Sequence, residues 1–333
     1  MSLPGNDKMD FELIRYLGLL NILLYMDVID SDTFYNSETV KEVIHDLNQQ
    51  KKLTKNFKRR ITILCSAANQ DKNFANIRII DYTNVNQCAA LFQDQNNNYY
   101  IGFRGTRFDE WKDNVLSLSG KVTETSQQKI ALEYFNRVVK KFNLDKISNK
   151  IYIFGHSKGG NKAQFVLLNT KYSNMIEKVY SYNAQTFSPE AIKYFKSMLP
   201  KTDFENRISK IYSICTDNDP INCLGYNKEF KYLINQDHIT YLKSNLMGVF
   251  RYHFQDSFFN LDGTLTDITN QKKLSKKCQK WSEIYMSRSS FTRYFVGGTI
   301  VSIINAARTL HVDKIADSLA IKRENKILYN KKS

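Results

Sequence analysis

The peptide Gly155-His156-Ser157-Lys158-Gly159-Gly160-Asn161 follows the apolar run Ile151–Phe154 and precedes a helical stretch. It reads as G-x-S-x-G between a strand and a helix, where the chain must reverse sharply with Ser157 at the apex. Small flanking residues let strand and helix approach around that reversal, and three of the chain's 13 glycines fall in this window. The serine hydroxyl is thereby lifted to the carboxyl edge of the sheet. The backbone N–H groups that follow, beginning with that of Lys158, lie at a helix N-terminus and can donate to a developing oxyanion. The chemistry this pattern fits is nucleophilic acyl transfer; the bland alternative is a structural Gly-rich turn with an idle serine.

A serine hydroxyl attacks only if a neighbouring base takes its proton. The chain has five histidines. His156 adjoins the serine, with its side chain expected to aim elsewhere, and His45 and His311 lie in flanking helical regions. His238 begins a strand, and His253 lies in the loop about ten residues beyond it, at the edge where a base is needed. His253 ranks first and His238 second, each against the plain reading of a solvated loop histidine. An orienting acid is expected between serine and histidine, after a strand. Ile211–Cys215 is such a strand, and either Asp217 or Asp219 in the following Thr216-Asp217-Asn218-Asp219-Pro220 could serve, or both could simply shape a turn. A second oxyanion donor fits the exit of Tyr99–Phe103, where Arg104-Gly105-Thr106 places a backbone N–H and a hydroxyl at Thr106.

These peptides need elements to hold them. Residues 8–60 read as helices, from Leu13, Leu17, Leu20 and Leu24 and then Val40, Val43, Ile44 and Leu47 at helical spacing. From Ile61 the texture changes. Short β-rich runs at 77–82, 88–92, 99–103, 151–154, 179–183, 211–215 and 239–243 alternate with helical stretches at 127–142, 161–169 and 189–198. The polar link Gln93–Asn98 reads as a hairpin, so the sheet should open with an antiparallel pair and continue mostly parallel. The expected fold is α/β, a mostly parallel sheet with helices on both faces and extra helices at both termini. The expected division is an N-terminal helical segment (1–60), an α/β core (61–262) and a basic, helical C-terminal extension (263–333).

Taken together, Phe103-Arg104-Gly105-Thr106, the following Trp111-Lys112-Asp113, the G-H-S-K-G-G-N elbow and Asn218-Asp219-Pro220-Ile221 resemble the class 3 (fungal-type) lipases. The match is closest to bacterial α/β-hydrolases with the same elbow, and it covers about residues 60–260. The resemblance implies Ser157 as nucleophile, Asp219 as the acid and Thr106 as an oxyanion donor. It also implies His253 as base, through the late strand ending Leu242-Lys243-Ser244 and then Gly248. It further implies a lid over 108–119, for which a fixed amphipathic helix is an equal reading. One departure is Asn183-Ala184-Gln185-Thr186-Phe187, where those relatives carry a D-G-P-G-F-like turn, at a place expected to border the pocket.

The implied activity is hydrolysis of a carboxylic ester, on a lipid or phospholipid acyl substrate, without metal or organic cofactor. Two other readings stand: an inactive hydrolase scaffold that binds through its basic regions, and a thioesterase. The 48 Lys and Arg against 33 Asp and Glu, a formal charge of +15, attract anionic surfaces. Clusters at Lys51, Lys52, Lys55, Lys58, Arg59 and Arg60, and at Lys272, Lys273, Lys276, Lys277 and Lys280, fit an anionic membrane or merely a solvated face. No nucleic-acid motif accompanies them, so no specific nucleic-acid partner is expected. Five widely spaced cysteines without C-x-x-C argue against a disulfide framework or a zinc knuckle. An N-terminus bearing Asp7, Asp10 and Glu12 lacks the positive start of a signal peptide, and the runs 17–26 and 295–310 are too short or interrupted to span a bilayer. The expected location is the cytoplasm.

Overall fold

A computed structural model of the chain describes residues 10–28, 32–50, 53–105, 111–146, 148–225, 236–246, 248 and 251–309. Five helices come first: α1 (Phe11–Leu24), α2 (Asp32–Asn36), α3 (Val40–Asn48), α4 (Lys55–Gln70) and α5 (Lys72–Ala75). Strands β1 (Arg78–Thr83), β2 (Ala89–Gln93) and β3 (Tyr99–Phe103) follow, then α6 (Trp111–Ser119) and α7 (Ser126–Lys141). The centre is β4 (Ile151–His156), α8 (Lys158–Asn169), β5 (Ile176–Tyr182), α9 (Pro189–Met198), α10 (Lys201–Ser209) and β6 (Ile211–Thr216). The chain closes with β7 (Ile239–Leu242), β8 (Ile268–Thr269), α11 (Lys273–Met286) and α12 (Ser290–Thr309).

The eight strands form one sheet in chain order. The steps β1–β2–β3 are antiparallel, β3 through β7 run parallel, and β8 returns antiparallel to β7. The expected α/β architecture is therefore present. Parallel strands laid down in chain order, each joined by a right-handed crossover, send every crossover helix to the same face. The buried residues divide accordingly. Leu91, Ile101, Ile153, Val179 and Ile211 pack with α7, α8, α9 and α10. Their alternates along the same strands, including Phe92, Tyr100, Tyr152, Phe154, Tyr180, Tyr182 and Tyr212, pack with α1, α3 and α4. The two-residue side-chain period of a strand makes this division. Without the N-terminal helices the second face, rich in tyrosine, would be bare.

Local signals set several boundaries. Thr39 and Glu42 form a capping box at the start of α3, Thr125 and Gln128 another at α7, and Ser188 with Pro189 opens α9. Three expectations shift. Helix α4 runs ten residues past the change of texture at Ile61, its inward face being Ile61, Ile63, Leu64 and Ala67. Helix α8 begins at Lys158 rather than Asn161, because the reversal itself supplies the first helical turn. Helix α10 is additional to the stretches expected from the sequence, and Phe204 and Ile208 bury one face of it at i, i+4 spacing. Within the described residues, no helix is long and apolar enough to cross a membrane.

The 3-10 turn Tyr25–Val28 at the end of α1 is pinned to the exit of β3. There Asp27 pairs with Arg104, their side chains 2% and 3% exposed, and also accepts from the Tyr82 hydroxyl at 3.3 Å. Removing one member of a buried pair strands the other charge. Asp27→Ala is expected to lower unfolding free energy by about 3–5 kcal/mol in urea titration; a loss typical of an exposed pair, under about 1 kcal/mol, would contradict this.

Candidate active site

Ser157 has φ 57° and ψ −126°, a left-handed conformation that a non-glycine residue adopts only when its surroundings impose it. The imposition is visible around it. A methyl group added at Gly159 would collide with the Phe103 carbonyl, and one added at Gly155 would collide with the backbone of Gly159. Strand and helix therefore meet backbone to backbone, and the reversal has no room to relax. The Ser157 N–H is bonded to the Tyr182 carbonyl at the end of β5 (2.9 Å), which fixes the elbow against the next strand.

Three strand ends converge here. Ser157 follows β4, Asp219 follows β6 and His253 lies beyond β7, all at the carboxyl edge. His253 Nε2 is 2.8 Å from Ser157 Oγ, and His253 Nδ1 is 3.0 Å from Asp219 Oδ2. A carboxylate only accepts, so Nδ1 carries the proton and Nε2 is left to accept from the serine hydroxyl. Asp219 is fully buried, and its carboxylate also accepts from the N–H groups of Ile221 (2.9 Å) and Asn222 (3.1 Å). The His253 side chain is 17% exposed, so this end of the chain of bonds meets solvent.

The loop carrying His253 is clamped. The Tyr252 carbonyl accepts from Thr216 Oγ1 (2.6 Å), Ser257 Oγ (3.0 Å) and Asn183 Nδ2 (3.3 Å). Asn183 itself has φ 43° and accepts from Thr216 N at 2.8 Å. Asp256, three residues on, is held by Arg59 (3.1 Å) and Arg60 (3.4 Å) from α4. Two members of the first basic cluster are thus internal braces, and Lys51 and Lys52 lie outside the described residues. Sequence reasoning missed Asn183 and Thr216 as supports. The only signal was the asparagine standing where the resembling proteins have a different turn.

The other expected residues separate. Asp217 is turned to Lys272 Nζ (2.6 Å) and Ser244 N (3.2 Å), away from the imidazole. His238 sits before β7, at the opposite end of that strand from the site, with its ring stacked on Tyr212 at 4.0 Å. A parallel strand cannot present both its ends at one edge, and this removes His238. Thr106 lies outside the described residues, as do residues 108–110 of the expected lid. The helical remainder, α6, is tied to α8 and to the segment after β5: Asp113 pairs with the buried Lys158 side chain at 3.0 Å, and Asn114 accepts from Gln185 at 3.2 Å. Lys158 itself is the first residue of α8, where backbone N–H groups point out of the helix start. His156, expected to aim elsewhere, turns its side chain to His253: its Nε2 is 2.6 Å from the His253 carbonyl oxygen. Burial, and then the neighbouring His253, hold its pKa well below the ordinary histidine range. A surface hollow lined by Asp10, Glu12, Tyr16, Asp94, Tyr100 and Tyr152 lies near the amino ends of β3 and β4, remote from these groups.

A parallel sheet with a serine on a strand-to-helix reversal, and a carboxylate and an imidazole arriving from later strand ends, is the α/β-hydrolase arrangement. Residues 68–292 match the sequence model of the Mbeg1-like family, and the chain belongs to that family. Among curated proteins none matches it. Solved structures similar to it include a fungal lipase in an inhibitor complex, at 15% identity over 70% of this chain and 78% of that chain, TM-score 0.39. A mutant form of MDLA from Penicillium cyclopium gives 11% identity, 73% and 84% coverage and TM-score 0.41. A lipase from Yarrowia lipolytica gives 12% identity, 86% and 93% coverage and TM-score 0.37.

The depressed pKa of His156 has a consequence for stability. In the folded chain it stays neutral below about pH 6.5, where the unfolded chain binds a proton. The unfolded state therefore gains as pH falls, by up to about 1.4 kcal/mol per pH unit below that value. In His156→Gln the slope of unfolding free energy against pH, between 6.5 and 5, is expected to decrease by about one proton. Urea titrations at four pH values measure it, and an unchanged slope would count against a buried neutral imidazole.

Proposed function

We propose that the protein is a serine hydrolase that cleaves a carboxylic ester through an acyl-enzyme, with a lipid or phospholipid acyl ester as substrate. The observation that carries this reading is the continuous line Asp219–His253–Ser157, at 3.0 and 2.8 Å, on a strained elbow. In the proposed reaction Ser157 Oγ attacks the ester carbonyl while its proton passes to His253 Nε2. Asp219 holds Nδ1–H and stabilises the imidazolium that forms. The carbonyl oxygen becomes anionic and is met by the Lys158 amide and by Thr106. Collapse expels the alcohol, which takes the proton from His253 and leaves the acyl group on Ser157. Water then attacks the acyl carbon, gives a proton to His253, and releases the acid as the serine recovers that proton. The order of residues in the chain, serine then aspartate then histidine, supports the same reading. So does the resemblance of the F-R-G-T and G-H-S peptides to lipases, which favours the ester over a thioester.

A fluorophosphonate probe is expected to label the wild type and not Ser157→Ala. Asp219→Asn should lower kcat on p-nitrophenyl esters by about 10⁴-fold, from the wrong imidazole tautomer. Asp217→Asn and His238→Ala should remain active. Labelling that survives Ser157→Ala, or an inactive His238→Ala beside an active His253→Ala, would reject the assignment.

We also infer peripheral contact with an anionic membrane through the C-terminal helix pair. Trp281, Phe291 and Phe295 are 72%, 70% and 71% exposed, and Lys273, Lys276, Lys277, Lys280 and Arg288 are exposed beside them. Aromatic residues with flanking cations suit an interface between headgroups and water, each cation adding about 1 kcal/mol near the surface. The protein should co-sediment with phosphatidylserine-containing vesicles at low salt more than with phosphatidylcholine alone, and the triple change of Trp281, Phe291 and Phe295 to serine should remove the difference. Equal binding to both vesicle types would dismiss this contact.

A further inference from the structure

We infer that Tyr25 and His156 are positioning residues that tie the chain leading to the oxyanion loop to the backbone of the base; the inference rests on the hydrolase reading above. The line of bonds is continuous. Tyr25 Oη lies 3.1 Å from the Gly105 N–H and 2.9 Å from His156 Nδ1, and His156 Nε2 lies 2.6 Å from the carbonyl oxygen of His253.

Chemistry settles the direction of each bond. The His253 carbonyl can only accept, so His156 Nε2 must carry the ring proton. The imidazole is neutral in this site, so Nδ1 is an acceptor and the Tyr25 hydroxyl donates to it. The same hydroxyl oxygen then accepts from Gly105 N–H. Every donor and acceptor along the line is used once, and reversing any bond would leave two donors or two acceptors facing each other.

The ends of the line are what make it more than packing. Gly105 immediately precedes Thr106, and a methyl group added to it would stand 3.2 Å from Ser157 Cβ and 2.7 Å from the His156 carbonyl. The other end is the peptide of His253 itself. Since the Tyr252 carbonyl is held by Thr216, Ser257 and Asn183, the bond from His156 fixes the second of two successive peptide planes. Rotation of either plane would swing the His253 ring away from Ser157 Oγ. Tyr25 reaches this place because Asp27, two residues on, is paired with Arg104. Both Tyr25 and Asp27 lie outside residues 68–292, the span that matches the family model, in the turn that follows α1.

Tyr25→Phe deletes one oxygen and keeps the ring. It is expected to lower kcat on a p-nitrophenyl ester, and the rate of fluorophosphonate labelling, by about 10- to 100-fold with KM little changed, the cost of a small misplacement of the reacting pair. His156→Leu should do the same. His156→Gln, which can still donate an N–H to the His253 carbonyl, should recover most of that loss. Thermal unfolding of each variant separates misplacement from failure to fold. Variants that lose thermal stability yet label at the wild-type rate overturn the inference and leave the hydrolase reading intact. A wild type that neither labels nor hydrolyses esters overturns both.

Discussion

The site depends on one enforced backbone conformation. Ser157 occupies a region of φ and ψ that costs about 1–3 kcal/mol for a residue with a side chain. It stays there because β4 and α8 are packed so closely that a single added carbon at Gly155 or Gly159 has no space. Strand pairing on both sides of β4 and the hydrophobic layer beneath α8 supply the restoring force. A hydroxyl held in this way is already ordered where the His253 imidazole comes within hydrogen-bond reach.

The chain order of the sheet explains why so much else is recruited around that point. Crossover helices cover one face, and the other is closed by helices that precede the first strand. Burying a layer of tyrosines under α1 brings the end of that helix to the exit of β3. The Asp27–Arg104 pair locks it there. An element that seals the core thereby delivers a hydroxyl, from Tyr25, into the polar network that ends on the His253 backbone. Core closure and site construction share the same residues.

The charged residues divide along similar lines. Arg59 and Arg60 are spent on Asp256, Lys158 on Asp113 and Lys272 on Asp217. The exposed cations on α11, together with the aromatic residues of α11 and α12, form a surface with a distinct composition. The formal charge of +15 does not distinguish these two uses, because composition counts charges without locating them.

Local rules made a large part of this protein readable. Strand alternation, helix spacing and the glycine-framed serine depend on neighbours within a few residues, and seven of the eight strands and the elbow follow from them. The two-residue strand β8 carries too little pattern to be read. What folding decided was which distant groups meet. Asp217 and Asp219 stand two apart in one turn, and only the path of that turn sends one to Lys272 and the other to His253. His238 and His253 flank the same strand, and its direction alone separates them. The contacts of Tyr25, Asn183 and the His156 side chain run across 33 to 131 positions, between atoms whose proximity exists only once the sheet has formed.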